Sequence, residues 1–436
     1  MEKQLFDKTA VELFTRKIDE QLSARPKAAE LFRNCFKDTL DRTLNRLDNG
    51  GVFVVTGDIP AMWLRDSSAQ LRPYIRLAKQ DVQVSLLIEG VIKQQIKYIL
   101  HDPYANAFNE TENGNGHQDD QTDMSPMVWE RKYEIDSLCY PIQLAYLYWK
   151  QTDNKNIFDH AFLKALYSII EVWITEQDHE NRSAYRFERF HCPDSDTLSR
   201  NGKGTETRPI GMTWSGFRPS DDACKYGYLI PSNMFASVVL GYIAEIAEDI
   251  YNNTALKTKA NVLKAEIEQG IKKYGIYEHP VYGKMYAYET DGLGNYNLMD
   301  DANVPSLLSM PFLGYCKADD EIYQNTRAFL LSEQNPYYYV GKAASGIGSP
   351  HTPQHYIWHI ALAIQGLTAV SLEEKDRILN LLEKTDGDTG LMHEGFHADD
   401  PTEFTRSWFS WANAMYCEFV IDFCENSLKK GEKVEL

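Results

Sequence analysis

The sequence predicts an all-α fold, a single domain of paired helices spanning residues 1–436 with long loops gathered at one end. Three observations predict it. Apolar residues recur at helical spacing in about twelve segments, with almost no strand-like alternation. Several segments are joined by short polar links, as at Asn252-Asn253-Thr254 and Val370-Ser371, and short links make neighbours antiparallel. Three long irregular stretches, 101–132, 178–230 and 386–404, carry Trp129, Trp214, Phe217 and Phe396, which disorder would not favour. They read as ordered loops over a shared site. Length alone would allow two or three domains, but no linker, charge block or low-complexity tract divides the chain.

Taken in order, helical spacing first covers 9–23 (Val11, Leu13, Phe14, Ile18) and 26–48 (Leu31, Phe32, Phe36, Leu40, Leu44, Leu47). Asn49-Gly50-Gly51 is expected to end the second of these, and Val52 to Val55 is a short β-like run. Helical patterns follow at 81–100, 135–150, 157–177, 232–252, 254–273, 301–315, 321–332, 353–370, 372–384 and 405–425. Pro231, Ser232 and Asn233 open the run of Met234, Phe235, Val238, Val239, Tyr242, Ile243 and Ile246. Thr352 at a cap with Pro353 at the first helical position leaves His351 outside its helix. Asp300-Asp301-Ala302-Asn303 and Thr405-Arg406-Ser407-Trp408 are expected to begin helices after loops.

Charge narrows the partners. The net charge of −18, from 45 basic and 63 acidic residues, would repel a phosphate backbone or an anionic membrane, so neither nucleic acid nor membrane is expected. The start, MEKQLFDKTAVELF, has no apolar core of signal-peptide length, and no stretch of about 18 apolar residues is apparent. Seven scattered Cys without a CxxC pair fit a reducing compartment, and a cytoplasmic location is expected. The 26 Tyr and 8 Trp suit a sugar or peptide cleft, as they suit any core.

Chemistry concentrates in a few stretches. In the middle of the chain, IGMTWSGFRPSDDACKYGYLIPSNM places Asp221 and Asp222 after Arg218, Pro219 and Ser220, which is loop chemistry just before a helix. Such a loop can hold a carboxylate over a cleft, although acids there more often cap or brace, and spacing does not choose between the two. Earlier, Trp63-Leu64-Arg65-Asp66 combines a forked donor, an acceptor for vicinal hydroxyls and an apolar ring face; a cap and a structural ion pair are equally open. Met392-His393-Glu394-Gly395-Phe396-His397 formally matches HExxH, which binds zinc only on a continuous helix. Gly390, Gly395 and Pro401 argue against that helix, leaving Glu394 free to act as a base on water. His351, His355 and His359 are spaced by four; one touching substrate and one buried against neighbours is expected, rather than a metal stripe. No P-loop or GxGxxG occurs.

The stretches TGDIPAMWLRDSSAQLRPYI, WERKYEIDSLCYPI, SGFRPSDDACKYGYLIPSNMFA, MDDANVPSLL and LMHEGFHADDPTEFTRSWFSWANAMY resemble the exo-α-1,6-mannosidases of glycoside hydrolase family 125, over about residues 9–425. The resemblance implies a six-hairpin (α/α)6 barrel and hydrolysis of terminal α-1,6-linked mannose from oligosaccharides or N-glycan fragments. It implies no metal or other cofactor, and inversion at the anomeric carbon. It implies Asp221 as general acid and Glu394 as general base, with Arg65, Asp66, Glu130, Asn303, His355 and Arg406 lining the mannose pocket; Trp63 offers its ring to the sugar. Burial near aromatics is expected to raise the pKa of Asp221, with Arg218 as a counterweight. Three alternatives compete: a phosphorylase on the same barrel, a zinc peptidase through HEGFH, or a sugar-binding module without catalysis.

Overall fold

The computed structural model describes residues 9–428. The first eight residues, on which the expectation about the chain's start partly rests, lie outside the described residues. The protein is mostly helical, as its periodicity predicts. Thr9–Gln21, Val82–His101, Ile135–Thr152, His160–Glu176, Ile230–Asp249, Thr254–Tyr274, Glu321–Leu330 and Leu372–Lys384 fall where the apolar spacing places them. Several starts are fixed by side chains: Asp81 accepts from the Gln83 and Val84 amides, Asp159 from Phe162, Asp320 from Tyr323 and Ser371 from Glu374.

Neighbouring helices pack in a chain of partners. Thr254–Tyr274 lies against Ile230–Asp249, which packs on Ile135–Thr152, which in turn packs on Leu64–Leu71. Leu64–Leu71 lies against Ser410–Leu428, and that helix also holds His359–Leu367 and Pro26–Asp38. Ile230–Asp249 is apolar enough in composition to cross a membrane, with a mean hydropathy of 1.3, contrary to the sequence expectation. However, 78% of that window is buried within the protein, so its apolar surface is spent on the core.

Four helical expectations are corrected. The segment 26–48 is helical only over Pro26–Asp38; a wide turn at Thr39–Thr43 leads into the strand Leu44–Arg46, which pairs antiparallel with Val52–Val54. Asn49-Gly50-Gly51 is therefore a hairpin turn, with Gly50 at φ 81°, and not a helix end. The segment 301–315 is irregular apart from Met310–Leu313, because Asp300 accepts from the amides of Leu307 and Leu308 and folds the chain back. Thr352 and Pro353 do not start a helix: Tyr356–Trp358 is a strand, and the helix is His359–Leu367. Thr405 to Trp408 likewise precede Ser410–Leu428 without joining it.

Conversely, Leu64–Leu71 is a helix that periodicity does not predict. All eight of its residues are buried, so it has no polar face to set a period. Strands are present but none among the described residues exceeds four residues, and they brace loops. Two sets matter for the site: Met62–Trp63, Ala107–Phe108 and Val128–Glu130 form one small sheet, and Tyr356–Trp358 pairs with Gly395–His397.

Candidate active site

The FRPSDD segment forms a tight loop closed on itself. The Arg218 amide donates to the Asp222 carbonyl at 2.8 Å, the Asp221 amide to the Arg218 carbonyl at 2.9 Å, and Phe217 bridges Ala223. Asp221 sits at its tip with φ 65°, a left-handed conformation that Asp tolerates better than most residues. The buried Lys132 ammonium donates to its carbonyl at 2.7 Å and also pairs with Asp196. The two neighbouring acids diverge. Asp221 faces a cavity, while Asp222 is buried, accepts from the Ser220 hydroxyl at 2.8 Å and lies 3.7 Å from His351.

Arg65 is the hub beneath that loop. It is 2% exposed and faces four carboxylates: Glu134 at 2.7 Å, Asp136 at 3.1 Å, Asp221 at 3.2 Å and Asp66 at 3.6 Å. One guanidinium cannot neutralise four carboxylates, three of them buried, so protons must make up the difference. Burial, opposed by Arg65 but reinforced by Asp221 and Asp136, pushes Glu134 well above the usual carboxylate range. Burial likewise raises Asp136 to about 6, and raises Asp66. Asp221 goes the other way: burial disfavours its charge, but Arg65, a hydrogen bond from Glu134, Lys132 and His351 together hold it below the ordinary value. This corrects the expectation that Asp221 is raised. Arg218 is not its counterweight either, because its Nε donates to the buried Glu289 at 2.6 Å.

Glu394 comes from a different loop, immediately before the strand Gly395–His397. The histidines around it act as staples. The His393 amide donates to His359 Nδ1 at 2.9 Å, while His359 Nε2 lies 3.0 Å from the Thr385 carbonyl, which fits a neutral ring protonated on Nε2. Burial lowers the pKa of His359 to about 4, so it stays neutral. His393 contacts the Arg406 carbonyl and the Thr389 hydroxyl and stacks on Phe404 at 3.8 Å. With 395–397 extended, the helical HExxH arrangement does not form, and the zinc-peptidase reading loses its geometry. Arg406 Nη1 lies 3.8 Å from Glu394, and the rest of its guanidinium grips Asp58.

A cavity of about 310 Å³ joins these pieces. Its wall contains Asp221 and Glu394, together with Trp63, Arg65, Asp66, Asn303 and Arg406, all residues singled out from the sequence. Trp358, Trp411 and Phe409 add aromatic faces, and the indole nitrogens of Trp63 and Trp411 are buried without a protein partner. Two expected residues are elsewhere. Glu130 is buried behind the wall, accepting from Asn106 at 2.9 Å, and Asn106 reaches Asp221 at 3.3 Å. His355 is off the wall: its ring packs between Tyr339 and His397, and its φ of 68° turns the chain away. His351 takes its place. Its side chain is 41% exposed, so the desolvation that opposes its charge is only partial, and Asp222, Glu394 and Asp221 raise its pKa to about 9. Glu134, Asp136 and Asn106 were also missed; the only sequence signal was two acids, in YEID, entering an apolar helix. Larger hollows exist elsewhere, such as one of about 1160 Å³ bounded by Thr9, Arg72 and Glu425, but it does not include the paired carboxylates.

A cleft in a helical fold, walled by indoles and by carboxylates on separate loops, defines a glycoside hydrolase. The chain belongs to the family of metal-independent alpha-mannosidases, GH125, whose model matches residues 25–421. It is 39% identical to the Meiotically up-regulated gene 157 protein of Schizosaccharomyces pombe, over 98% of this chain and 88% of that one. It is also similar to a solved metal-independent alpha mannosidase of Streptococcus pneumoniae, held in a non-productive complex with alpha-1,6-mannobiose. The two are 51% identical with a TM-score of 0.95, covering 97% of this chain and 100% of that one. A bacterial glucoamylase bound to acarbose shares the fold alone, at 13% identity and TM-score 0.53 over 84% of this chain and 49% of the other.

Proposed function

We propose that this alpha-mannosidase is an inverting exo-enzyme that removes terminal α-1,6-linked mannose from oligosaccharides such as N-glycan fragments. The observation that carries the mechanism is that Asp221 and Glu394 reach one cavity from separate loops. Asp221 gives a proton to the departing glycosidic oxygen. Glu394 takes a proton from water, which attacks the anomeric carbon from the other face and yields β-mannose. Inversion needs room for that water, a carboxyl separation of roughly 6.5–9.5 Å in such enzymes. Each proton transfer contributes about 10²–10⁴-fold. Trp63, Arg65, Asp66, Asn303 and Arg406 are assigned to the terminal sugar; Glu130 acts one step removed, through Asn106 and Lys132.

The linkage reading is supported by the 51% identical relative, whose complex holds alpha-1,6-mannobiose. The six-hairpin (α/α)6 barrel is supported by the order of packed helices: Leu64–Leu71 packs on Ile135–Thr152, that on Ile230–Asp249 and that on Met310–Leu313, while in the other direction Leu64–Leu71 packs on Ser410–Leu428 and that on His359–Leu367. A cytoplasmic setting is favoured by seven free thiols, five of them buried. A phosphorylase would want free cations beside the acid. Here Arg65 is saturated by carboxylates and Arg406 by Asp58, which favours water. Proton NMR of α-1,6-mannobiose with the enzyme in phosphate-free buffer tests the reading. β-Mannose appearing first, then mutarotating, is the expected result; α-mannose first, or no release without phosphate, would overturn it.

A further inference from the structure

We propose that Glu134 is a positioning residue for the reaction: it shares one proton with Asp221 and keeps the catalytic acid supplied. The inference rests on the reading of Asp221 as the general acid. It starts from geometry. Glu134 Oε2 is fully engaged, accepting from Arg65 at 2.7 Å and from the Ser137 hydroxyl at 2.8 Å. Its other oxygen, Oε1, is buried and has no donor facing it. An ionised carboxylate with a bare buried oxygen is strongly disfavoured, whereas a carboxylic acid at that position is a donor. Arg65 Nη1 serves Glu134 at 2.7 Å and its Nη2 serves Asp221 at 3.2 Å, so the two carboxyls are neighbours on one guanidinium.

The surroundings hold one proton in the pair. Glu134 is faced by Arg65 from Leu64–Leu71, by Asp136 from its own segment, and by Asp221 and Cys224 from the central loop. Lys132 and His351 add positive charge on the Asp221 side. Without a neighbour to share with, Asp221 beside Arg65 and Lys132 would be a carboxylate at neutral pH and could not act as an acid. Paired with Glu134, the two carboxyls sharing one proton carry one net negative charge, and they titrate as a pair.

The cycle balances. The shared proton passes from Asp221 to the glycosidic oxygen as the bond to the anomeric carbon breaks, so the leaving sugar departs as a neutral alcohol. Water adds its oxygen to the anomeric carbon and one proton to Glu394. The Asp221–Glu134 pair, now doubly charged, recovers a proton from solvent, and Glu394 releases one. Asp221 is the member with solvent access, its side chain being 24% exposed where Glu134 is fully buried.

The test compares α-1,6-mannobiose, whose leaving group must be protonated, with α-mannosyl fluoride, whose leaving group needs little help. For Glu134→Gln, kcat/KM on the disaccharide is expected to fall about 100-fold and on the fluoride less than about fivefold, the selectivity of a lost proton donor. The alkaline limb of its pH profile should move to lower pH, because Asp221 alone ionises earlier. Equal losses on both substrates with an unmoved limb mean a structural role and overturn the inference. Should Glu134→Gln not fold, Glu134→Asp keeps a carboxyl one methylene further back. It is expected to show the same substrate-selective loss in weaker form, and no selectivity there overturns the inference as well. Asp221→Asn is run alongside. If it lacks the same selectivity, the acid assignment itself fails; if it shows selectivity and Glu134→Gln does not, only the sharing fails.

Discussion

Arg65 Nη2 stands 3.2 Å from Asp221 Oδ1, joining a fully buried helix to the tip of a left-handed loop. The contact fixes where the Asp221 carboxylate points. It also fixes its electrostatics, since the same guanidinium serves Glu134, Asp136 and Asp66. Replacing Arg65 with Met would leave Glu134 and Asp136 buried without a facing cation. A one-sided loss of a buried ion pair typically destabilises by about 3–5 kcal/mol. Urea unfolding of Arg65→Met should show a loss of that order, and a loss below about 1 kcal/mol would mean that protonation alone satisfies the cluster.

Glu394 is held by strand pairing and histidine staples, so its side chain can be changed without disturbing its backbone. Glu394→Gln should lower kcat on α-1,6-mannobiose by about 10³-fold with KM changed little, as for loss of a group acting only in the transition state. Unaltered thermal unfolding would accompany it. A rise in KM with kcat preserved would instead make Glu394 a binding group.

The sequence pattern made the helices and the loops of both carboxylates legible, for separate physical reasons. Helices with one wet face, such as Thr254–Tyr274, announce themselves by period; Leu64–Leu71, dry on every side, does not. Pro and Gly around Asp221 and Glu394 marked their segments as loops, while the choice of these two carboxylates rested on the family resemblance. The sign of the Asp221 shift was not legible, because it depends on Arg65, Glu134 and Lys132, which lie 156, 87 and 89 positions away and meet only in the fold. His355 misled for a related reason. Thr352-Pro353 reads as a helix start, but pairing of Tyr356–Trp358 with Gly395–His397 overrides it and puts His351 in the cavity.

His351 gives a pH prediction. Its folded pKa, raised to about 9 by Asp222, Glu394 and Asp221 against the partial desolvation of a side chain that stays 41% exposed, exceeds the ordinary value of 6.5. The charged ring therefore stabilises the fold fully below about pH 6.5, and that contribution disappears as pH rises through about 9. The melting temperature of His351→Gln should fall further below the wild type at about pH 6 than at about pH 10. A gap that stays constant, or widens with pH, would contradict the arrangement of charges around the ring.

The HEGFH histidines should separate structure from chemistry. His397 lies on a strand with its ring against Tyr356 and His355, away from the cavity wall. Excess chelator should leave activity unchanged, and His397→Ala should keep it within about threefold, as for substitutions away from a site. His393, fully buried and stacked on Phe404, should behave differently: His393→Ala is expected to lose about 2–4 kcal/mol of stability through its cavity and two lost hydrogen bonds. Chelator-dependent loss of activity restored by zinc would reverse this assignment.

Gly57 links backbone shape to sugar binding. It has φ 139°, and an added Cβ would stand 2.4 Å from the Trp408 carbonyl oxygen, closer than any real contact allows. The two segments are bridged there, Gly57 to Phe409, and Asp58 follows to grip Arg406, which in turn lies 3.8 Å from Glu394. Gly57→Ala must therefore push the Asp58 loop away from the Arg406 loop. We expect a stability loss of about 1–3 kcal/mol from the strained conformation, and a KM for α-1,6-mannobiose raised about tenfold. If that rise comes through Arg406, then adding Arg406→Met to Gly57→Ala should raise KM much less than Arg406→Met does alone, since neighbours acting through one contact are not additive. Additive effects would place the influence of Gly57 on another part of the wall.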